Sequence, residues 1–409
     1  MSDKAGPALT VTDGSRFAVF LQANGVDWKW YNQQAARSAQ LDRYVRVNPQ
    51  YPRSTEDVRK KLEGEFGRAS VVEWTKTPFI QIPGDAKLKG NDLYESGAIY
   101  GMDIASGFAI DVLDVRPGEK VLDLCCAPGG KLCMLADLMQ RKGELVGLDA
   151  SKHRAFTCAS VCKKYRTASR HFKNKTDNDW DFTIIVEDGV TFSNSQQAKE
   201  IIWDTQADEV LHQKESGIET FEKRDPEAKP KQKKLNKGLK RKLEEKRLEK
   251  KKRRKADVDN LFDRVVVDAE CTHDGSLKHM AKYATGGVFG QEALESKFLN
   301  ADNAKYSTES NDLEQLQQGL LENGFRLLRP GGVLIYSTCS FCKTQNEDVV
   351  SWLLKKYGDQ VQLDDLSRQT VGKTQAPFVN STSLAGTLRF EPCASGTSGL
   401  FIAKLSKRS

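Results

Sequence analysis

Six short apolar runs, at 120–124, 144–148, 182–186, 262–267, 333–336 and 399–403, recur along the chain between helical patterns. Runs this short, mainly apolar rather than strictly alternating, are typical of strands buried on both faces, and their alternation with helices marks a mostly parallel sheet covered on each side. The predicted fold is therefore α/β: a doubly wound, Rossmann-like sheet spanning about residues 96–409. Before it, the pattern predicts a helix from Gln33 to Leu41, a strand over Tyr44–Val47, a helix capped at Ser54, and strands over Val71–Trp74 and Phe79–Ile82. That β-α-β-β order defines a small α/β module over residues 16–95, with a disordered lead-in at 1–15.

Charge divides the chain unevenly. Eighteen of the 63 basic and six of the 56 acidic side chains fall between Phe221 and Lys255, so this stretch carries +12 and the remainder −5 of a net +7. Only Leu235, Leu239, Leu243 and Leu248 offer it apolar surface, too little to fold alone, and residues 222–256 read as a solvated insertion. Its run Lys250–Lys255 suits three roles equally: contacting phosphates, directing nuclear or nucleolar import, or acting as a solvated loop in a cytoplasmic protein. No apolar run approaches the ~20 residues of a membrane span and no signal-peptide core is visible, so no membrane partner is expected. Nine cysteines, an odd number, are expected as free thiols of a reducing compartment.

The first apolar run of the sheet ends in a glycine-rich turn. Asp123 is followed by Leu124, then Cys125-Cys126-Ala127-Pro128-Gly129-Gly130-Lys131, and then a helical pattern from Leu132. The pattern is neither G-x-G-x-x-G nor G-x-x-x-x-G-K-[ST], so it is not a pyrophosphate or nucleotide-triphosphate cradle. Asp149 ends the next strand, 19 residues after Gly130, where a carboxylate can accept two ribose hydroxyls, and Asp188 ends the third. An adenosine cofactor without a pyrophosphate fits this pattern.

Two cysteines are placed at the same rim by the second half of the chain: Cys271 in Asp268-Ala269-Glu270-Cys271-Thr272-His273, and Cys339 in Tyr336-Ser337-Thr338-Cys339. A helix capped at Asn311 is predicted before the second strand, and the capping box Thr344-x-x-Glu347 predicts another after it, leaving Cys339 near a helix N-terminus that favours a thiolate. Cys339-x-x-Cys342 lacks the second cysteine or histidine pair of a zinc set, so no metal is expected. His273, as a loop residue, is expected to be structural or solvated.

These segments resemble the RsmB/Nop/Sun family of RNA cytosine-5 methyltransferases. The family run D-x-C-A-A-P-G-G-K-T is matched at 123–132, with Cys126 for the first alanine and Leu132 for threonine; Y-S-T-C-S is matched in full at Tyr336–Ser340. Met102–Ser106 is similar to Q-D-x-A-S, Arg46-Val47-Asn48 to R-V-N, and Thr397–Phe401 to T-D-G-F-F. The likeness runs from about residue 40 to the end. It departs where D-x-P-C-S-G becomes Asp268–His273: Glu270 replaces a stiffening proline and sets a carboxylate beside the site.

The resemblance implies S-adenosylmethionine as cofactor, held by Asp123, Cys125, Ala127, Pro128, Gly129, Gly130, Lys131, Asp149, Asp188 and Asp268. It implies Cys339 as nucleophile, Cys271 as the cysteine that helps release product, Asp268 at the base edge, and tRNA or rRNA as substrate of a monomeric enzyme. An RNA-binding assembly factor with little turnover is the competing expectation, motivated by the altered 268–273 loop. A small-molecule methyltransferase fits less well, because methylating oxygen or nitrogen needs no paired cysteines.

Overall fold

A computed structural model of the chain describes residues 9–37, 40–167, 180–193, 200–204, 261–285 and 312–408. The insertion 222–256, the Asn311 cap and the first eight residues lie outside these. Residues 9–15 are not a loose lead-in: Leu9 and Val11 are buried, and Val11 exchanges backbone hydrogen bonds with the Asn32 side chain at 2.8 and 2.7 Å. The helices they cover are α1 (Arg16–Ala23), capped by Ser15, and α2 (Trp28–Arg37), which starts five residues before the predicted helix.

Next come β1 (Arg43–Val47), α3 (Thr55–Phe66), β2 (Ser70–Val71), β3 (Phe79–Ile82), α4 (Asp92–Glu95) and β4 (Ile99–Gly101). They form an antiparallel sheet of order β2-β3-β1-β4, whose fourth strand lies beyond residue 95. Ser54 caps α3 through the Asp57 N–H, and Gly67 ends it with φ +76°, a left-handed turn that suits glycine.

The larger sheet follows through α5 (Ile104–Leu113), β5 (Lys120–Asp123), α6 (Gly130–Leu138), β6 (Gly143–Asp149), α7 (Lys152–Lys164), β7 (Trp180–Val186), β8 (Glu200–Asp204) and β9 (Phe262–Asp268). It is completed by α8 (Leu277–Thr285), α9 (Asp312–Leu327), β10 (Leu328–Thr338), α10 (Glu347–Tyr357), β11 (Val361–Asp364), β12 (Val379–Asn380), β13 (Leu388–Phe390), α11 (Pro392–Ser395) and β14 (Leu400–Lys407). Every predicted apolar run is a strand here. The order is β12-β13-β14-β10-β9-β5-β6-β7-β8, with β11 against β14.

The sheet is Rossmann-like but mixed. Strands β10, β9, β5, β6 and β7 are parallel; β14 runs against β10 and β8 against β7. The parallel centre is buried on both faces, which is why β6 reads as a continuous apolar run. Among the described residues no helix is long and apolar enough to cross a membrane.

The two sheets meet at a buried charge cluster. Arg46 of β1 and Arg141 both pair with Asp137 near the end of α6, the latter at 2.6 Å, and Arg46 also donates to the Tyr100 hydroxyl. Both guanidiniums are nearly inaccessible, with Arg46 1% and Arg141 3% exposed.

Candidate functional site

Because the five central strands are parallel, their carboxyl ends share one rim, and that rim holds a cavity of about 690 Å³. Cys125, Ala127, Pro128, Asp149 and Asp188 line one side; Asp268, Glu270, Cys271, His273 and Cys339 line the other. The two sets of residues, far apart in the chain, therefore open onto the same space.

The glycine-rich turn forms the first wall. Gly129 has φ +108°, and a Cβ there would lie 3.0 Å from the Cys158 sulfur, so both backbone and space demand glycine. Lys131 reaches across from α6, its Nζ 2.7 Å from Asp268 and 3.3 Å from the Ser106 hydroxyl. Burial works against its ammonium, but Asp268 outweighs this and holds its pKa above the usual value. The second oxygen of Asp268 accepts from Ser337 at 2.8 Å. Asp149 accepts from the Ser151 N–H at 2.9 Å and lies 3.5 Å from Arg154; Asp188 accepts from the Val190 N–H at 2.9 Å.

Asp123 supports the turn from beneath. It is 1% exposed and accepts the Cys125 N–H at 3.2 Å, while its other oxygen has no hydrogen-bond partner. Burial pushes its carboxyl up to about 8, with Lys131 lowering it and Asp268 raising it. A carboxyl of raised folded-state pKa contributes stability that is complete below its unfolded pKa and is lost as pH rises through the folded one. Unfolding free energy should therefore fall by up to about 1.4 kcal/mol per pH unit between about pH 4 and 8 from this group alone. Urea titrations at successive pH values should show that slope flattened in Asp123→Asn; an unchanged slope would refute the assignment.

The second wall is built by two loops clamped together. Asp274, fully buried, accepts the Phe341 N–H and the Ser340 hydroxyl, each at 2.7 Å, and the Thr272 hydroxyl. Gly275 donates to the Cys339 carbonyl at 2.9 Å, and a Cβ on it would fall 2.7 Å from that oxygen. Behind the clamp, Tyr31 of α2 donates to the Asp274 carbonyl at 3.1 Å and packs with Trp30 around Phe341. The first two helices thus buttress the second wall.

The clamp brings the Cys271 and Cys339 sulfurs to 3.4 Å, with His273 Nδ1 at 3.0 Å from Cys339 and 3.6 Å from Cys271. The proton that the two sulfurs share holds Cys271 down, to about 6, against the opposing effect of burial and with help from His273; the same hydrogen bond and burial push Cys339 up. The capping box expected just after Cys339 does not form. α10 begins at Glu347, and Thr344 does not cap it, its hydroxyl donating instead to Asn24 at 2.5 Å. Glu347 is drawn away by Arg389, 2.6 Å distant, and by Ser381.

His273, expected as a structural or solvated loop residue, has its Nδ1 beside both sulfurs; its place two residues after Cys271 was its one legible signal. Asp274 and Gln317, whose Nε2 donates to the Glu270 carbonyl at 2.7 Å, gave no motif signal. Cys342 is buried 3.9 Å from Asp274, away from the cavity wall.

Comparison with known proteins converges on one group. The family model described as 16S rRNA methyltransferase RsmB/F matches residues 110–176 and 297–406. The chain is 23% identical over 359 residues to a tRNA (cytosine(49)-C(5))-methyltransferase of Pyrococcus abyssi, covering 86% of this chain and 84% of that one. It is 26% identical over 283 residues to the rRNA (cytosine-C(5))-methyltransferase NOP2C of Arabidopsis thaliana, covering 64% of this chain but only 43% of that relative. Among solved structures, NSun6 from Pyrococcus horikoshii with SFG has a TM-score of 0.59 and 15% identity, covering 98% of this chain and 99% of that one. PH0851 gives 0.58 and 22%, covering 98% and 70%. At these identities the structures establish the fold.

Proposed function

Because this chain belongs to the RsmB/F methyltransferase family, we propose that it uses S-adenosylmethionine to methylate carbon 5 of cytosine in tRNA or rRNA, through a covalent adduct on Cys339. The observation that carries the reading is the Cys271–Cys339 pair, with sulfurs 3.4 Å apart, facing the glycine-rich turn across one cavity.

The cavity suits such a cofactor chemically: about 690 Å³ accommodates a ligand-sized group, and Asp149 and Asp188 are carboxylates at its wall able to accept hydroxyl hydrogen bonds. Cys125, Ala127, Pro128 and Gly129 would floor it, Asp123 and Gly130 would support that floor, and Lys131 would hold Asp268 in place. When bound, S-adenosylmethionine supplies a sulfonium methyl group open to nucleophilic attack.

Carbon 5 of cytosine is too weak a nucleophile to take that methyl unaided. Cys339 sulfur bonds to ring carbon 6, passing its proton to the Cys271 sulfur beside it, and the ring electrons move toward carbon 5. Asp268, fixed by Lys131 and Ser337, faces the base edge and stabilises the proton and charge at ring nitrogen 3. Glu270, which lines the same wall, would contact the base. Once carbon 5 carries the methyl, its proton passes to a base, for which the Glu270 carboxylate at this wall is the candidate, the Cys339–carbon 6 bond breaks, and Cys271 returns its proton to the departing Cys339 sulfur. The target base must leave its stack to enter.

Cys271→Ala tests the division of labour. The variant should accumulate an RNA–protein adduct that survives denaturing gel electrophoresis and carries labelled methyl, with multiple turnover lost. Free product at the wild-type rate would sink the assigned role. An assembly factor on the same fold would instead bind RNA with no methyl transfer from wild-type protein across tRNA and rRNA substrates.

A further inference from the structure

We propose that Cys271, His273 and Cys339 form a binding site for a thiophilic divalent cation, Zn²⁺, at the cavity wall. Their ligand atoms, two sulfurs and the imidazole Nδ1, lie within 4.8 Å of one another. Sequence spacing points away from a metal because it pairs Cys339 with Cys342; the fold instead pairs Cys339 with residues 68 and 66 positions upstream.

The separations are close to what a tetrahedral ion requires. With zinc–sulfur bonds of about 2.3 Å and zinc–nitrogen bonds of about 2.0 Å, ligand sulfurs lie about 3.8 Å apart and a sulfur and nitrogen about 3.5 Å apart. The observed values are 3.4 Å between the sulfurs and 3.0 and 3.6 Å from them to Nδ1, so each separation is within about half an ångström of the bound geometry. The donors are also held in advance. Asp274 bonds both loops, and the Gly275–Cys339 backbone hydrogen bond fixes the distance between them.

His273 carries the argument further. Its φ is +59°, a left-handed conformation natural for glycine that costs a side chain about 1 kcal/mol or more. At this strained position the imidazole is directed at both sulfurs. Two sulfurs and an imidazole select zinc over magnesium or calcium, which require oxygen ligands. Among the described residues no fourth side chain joins this group, so the last coordination position opens to the cavity, as in exchangeable rather than permanent sites. Binding is non-redox: Zn²⁺ takes two thiolates and a neutral imidazole, and each proton still on a thiol passes to solvent.

The site rests on geometry alone, whereas its consequence rests on the methyltransferase reading: an ion bound to both sulfurs withholds the nucleophile, so zinc is a reversible inhibitor. The test uses the full chain, reduced and stripped with chelator. Titration with Co²⁺ should produce sulfur-to-cobalt charge-transfer absorption saturating at one equivalent and bleached by Zn²⁺. The band should vanish in Cys271→Ala and Cys339→Ala. His273→Gly, which relieves the backbone strain, should weaken Zn²⁺ affinity by more than about ten-fold in competition with a chromogenic chelator. Absence of the band in wild type, its survival in the double cysteine variant, or unchanged affinity in His273→Gly would each overturn the site. Methyl transfer is scored separately on the same samples: loss with Zn²⁺ and recovery with chelator supports inhibition. No transfer by metal-free protein counts against the methyltransferase reading, while the cobalt titration still decides the metal site.

Discussion

Cys339→Ala should abolish methyl transfer to RNA, lowering the rate by more than about 10³-fold while leaving cofactor binding intact. The size follows from what is removed. Without the Cys339 sulfur to add at ring carbon 6, carbon 5 stays part of an aromatic ring and gains no electron density, and the proposed division of labour leaves Cys271, 3.4 Å away, to proton transfer and release rather than addition. Cofactor binding should survive because the glycine-rich turn, Asp149 and Asp188 belong to the opposite wall. Labelled methyl incorporation gives the rate, and calorimetry with S-adenosylmethionine checks the second half. Activity within ten-fold of wild type would mean that the reaction does not pass through this sulfur.

The largest effect on stability is expected at Asp137, far from any chemistry. Removing it in Asp137→Ala leaves the guanidiniums of Arg46 and Arg141 buried without a counter-charge, which costs about 3–5 kcal/mol. Because Arg46 belongs to the small sheet and Asp137 to helix α6 of the larger unit, the loss should also loosen their docking. Arg68→Ala is the control: its partner Asp42 is 2.6 Å away, but the Arg68 side chain is 55% exposed, and an exposed pair contributes about 1 kcal/mol or less. Urea unfolding of the two variants should separate them by several-fold in lost free energy. Similar values for both would show that burial does not govern the pair.

Much of the fold was legible because burial on both faces leaves a local mark. The runs that became β5, β6, β7, β9, β10 and β14 are mainly apolar, and the turn at Gly129 announces itself by residues that other conformations do not favour. What failed shared a different cause. The capping box at Thr344 was a correct local pattern overridden by distant partners, Asn24 for the threonine and Arg389 for the glutamate. The lead-in at 9–15 looked disordered because its anchor, Asn32, lies a helix away. β14 read like its parallel neighbours because burial sets composition and says nothing of strand direction.

By itself, then, the sequence determined that the chain builds a helix-covered sheet with a cofactor-type turn on one strand and cysteines on two others. Local periodicity, glycine placement and residue chemistry are properties of neighbouring positions, and neighbours suffice to read them. Only the tertiary structure decided that Cys271 meets Cys339 rather than Cys342, and that His273 Nδ1 lies beside both sulfurs. Those outcomes depend on distances of 3 to 4 Å between segments more than sixty residues apart, set by the alignment of β9 beside β10 and by the buried Asp274 clamp.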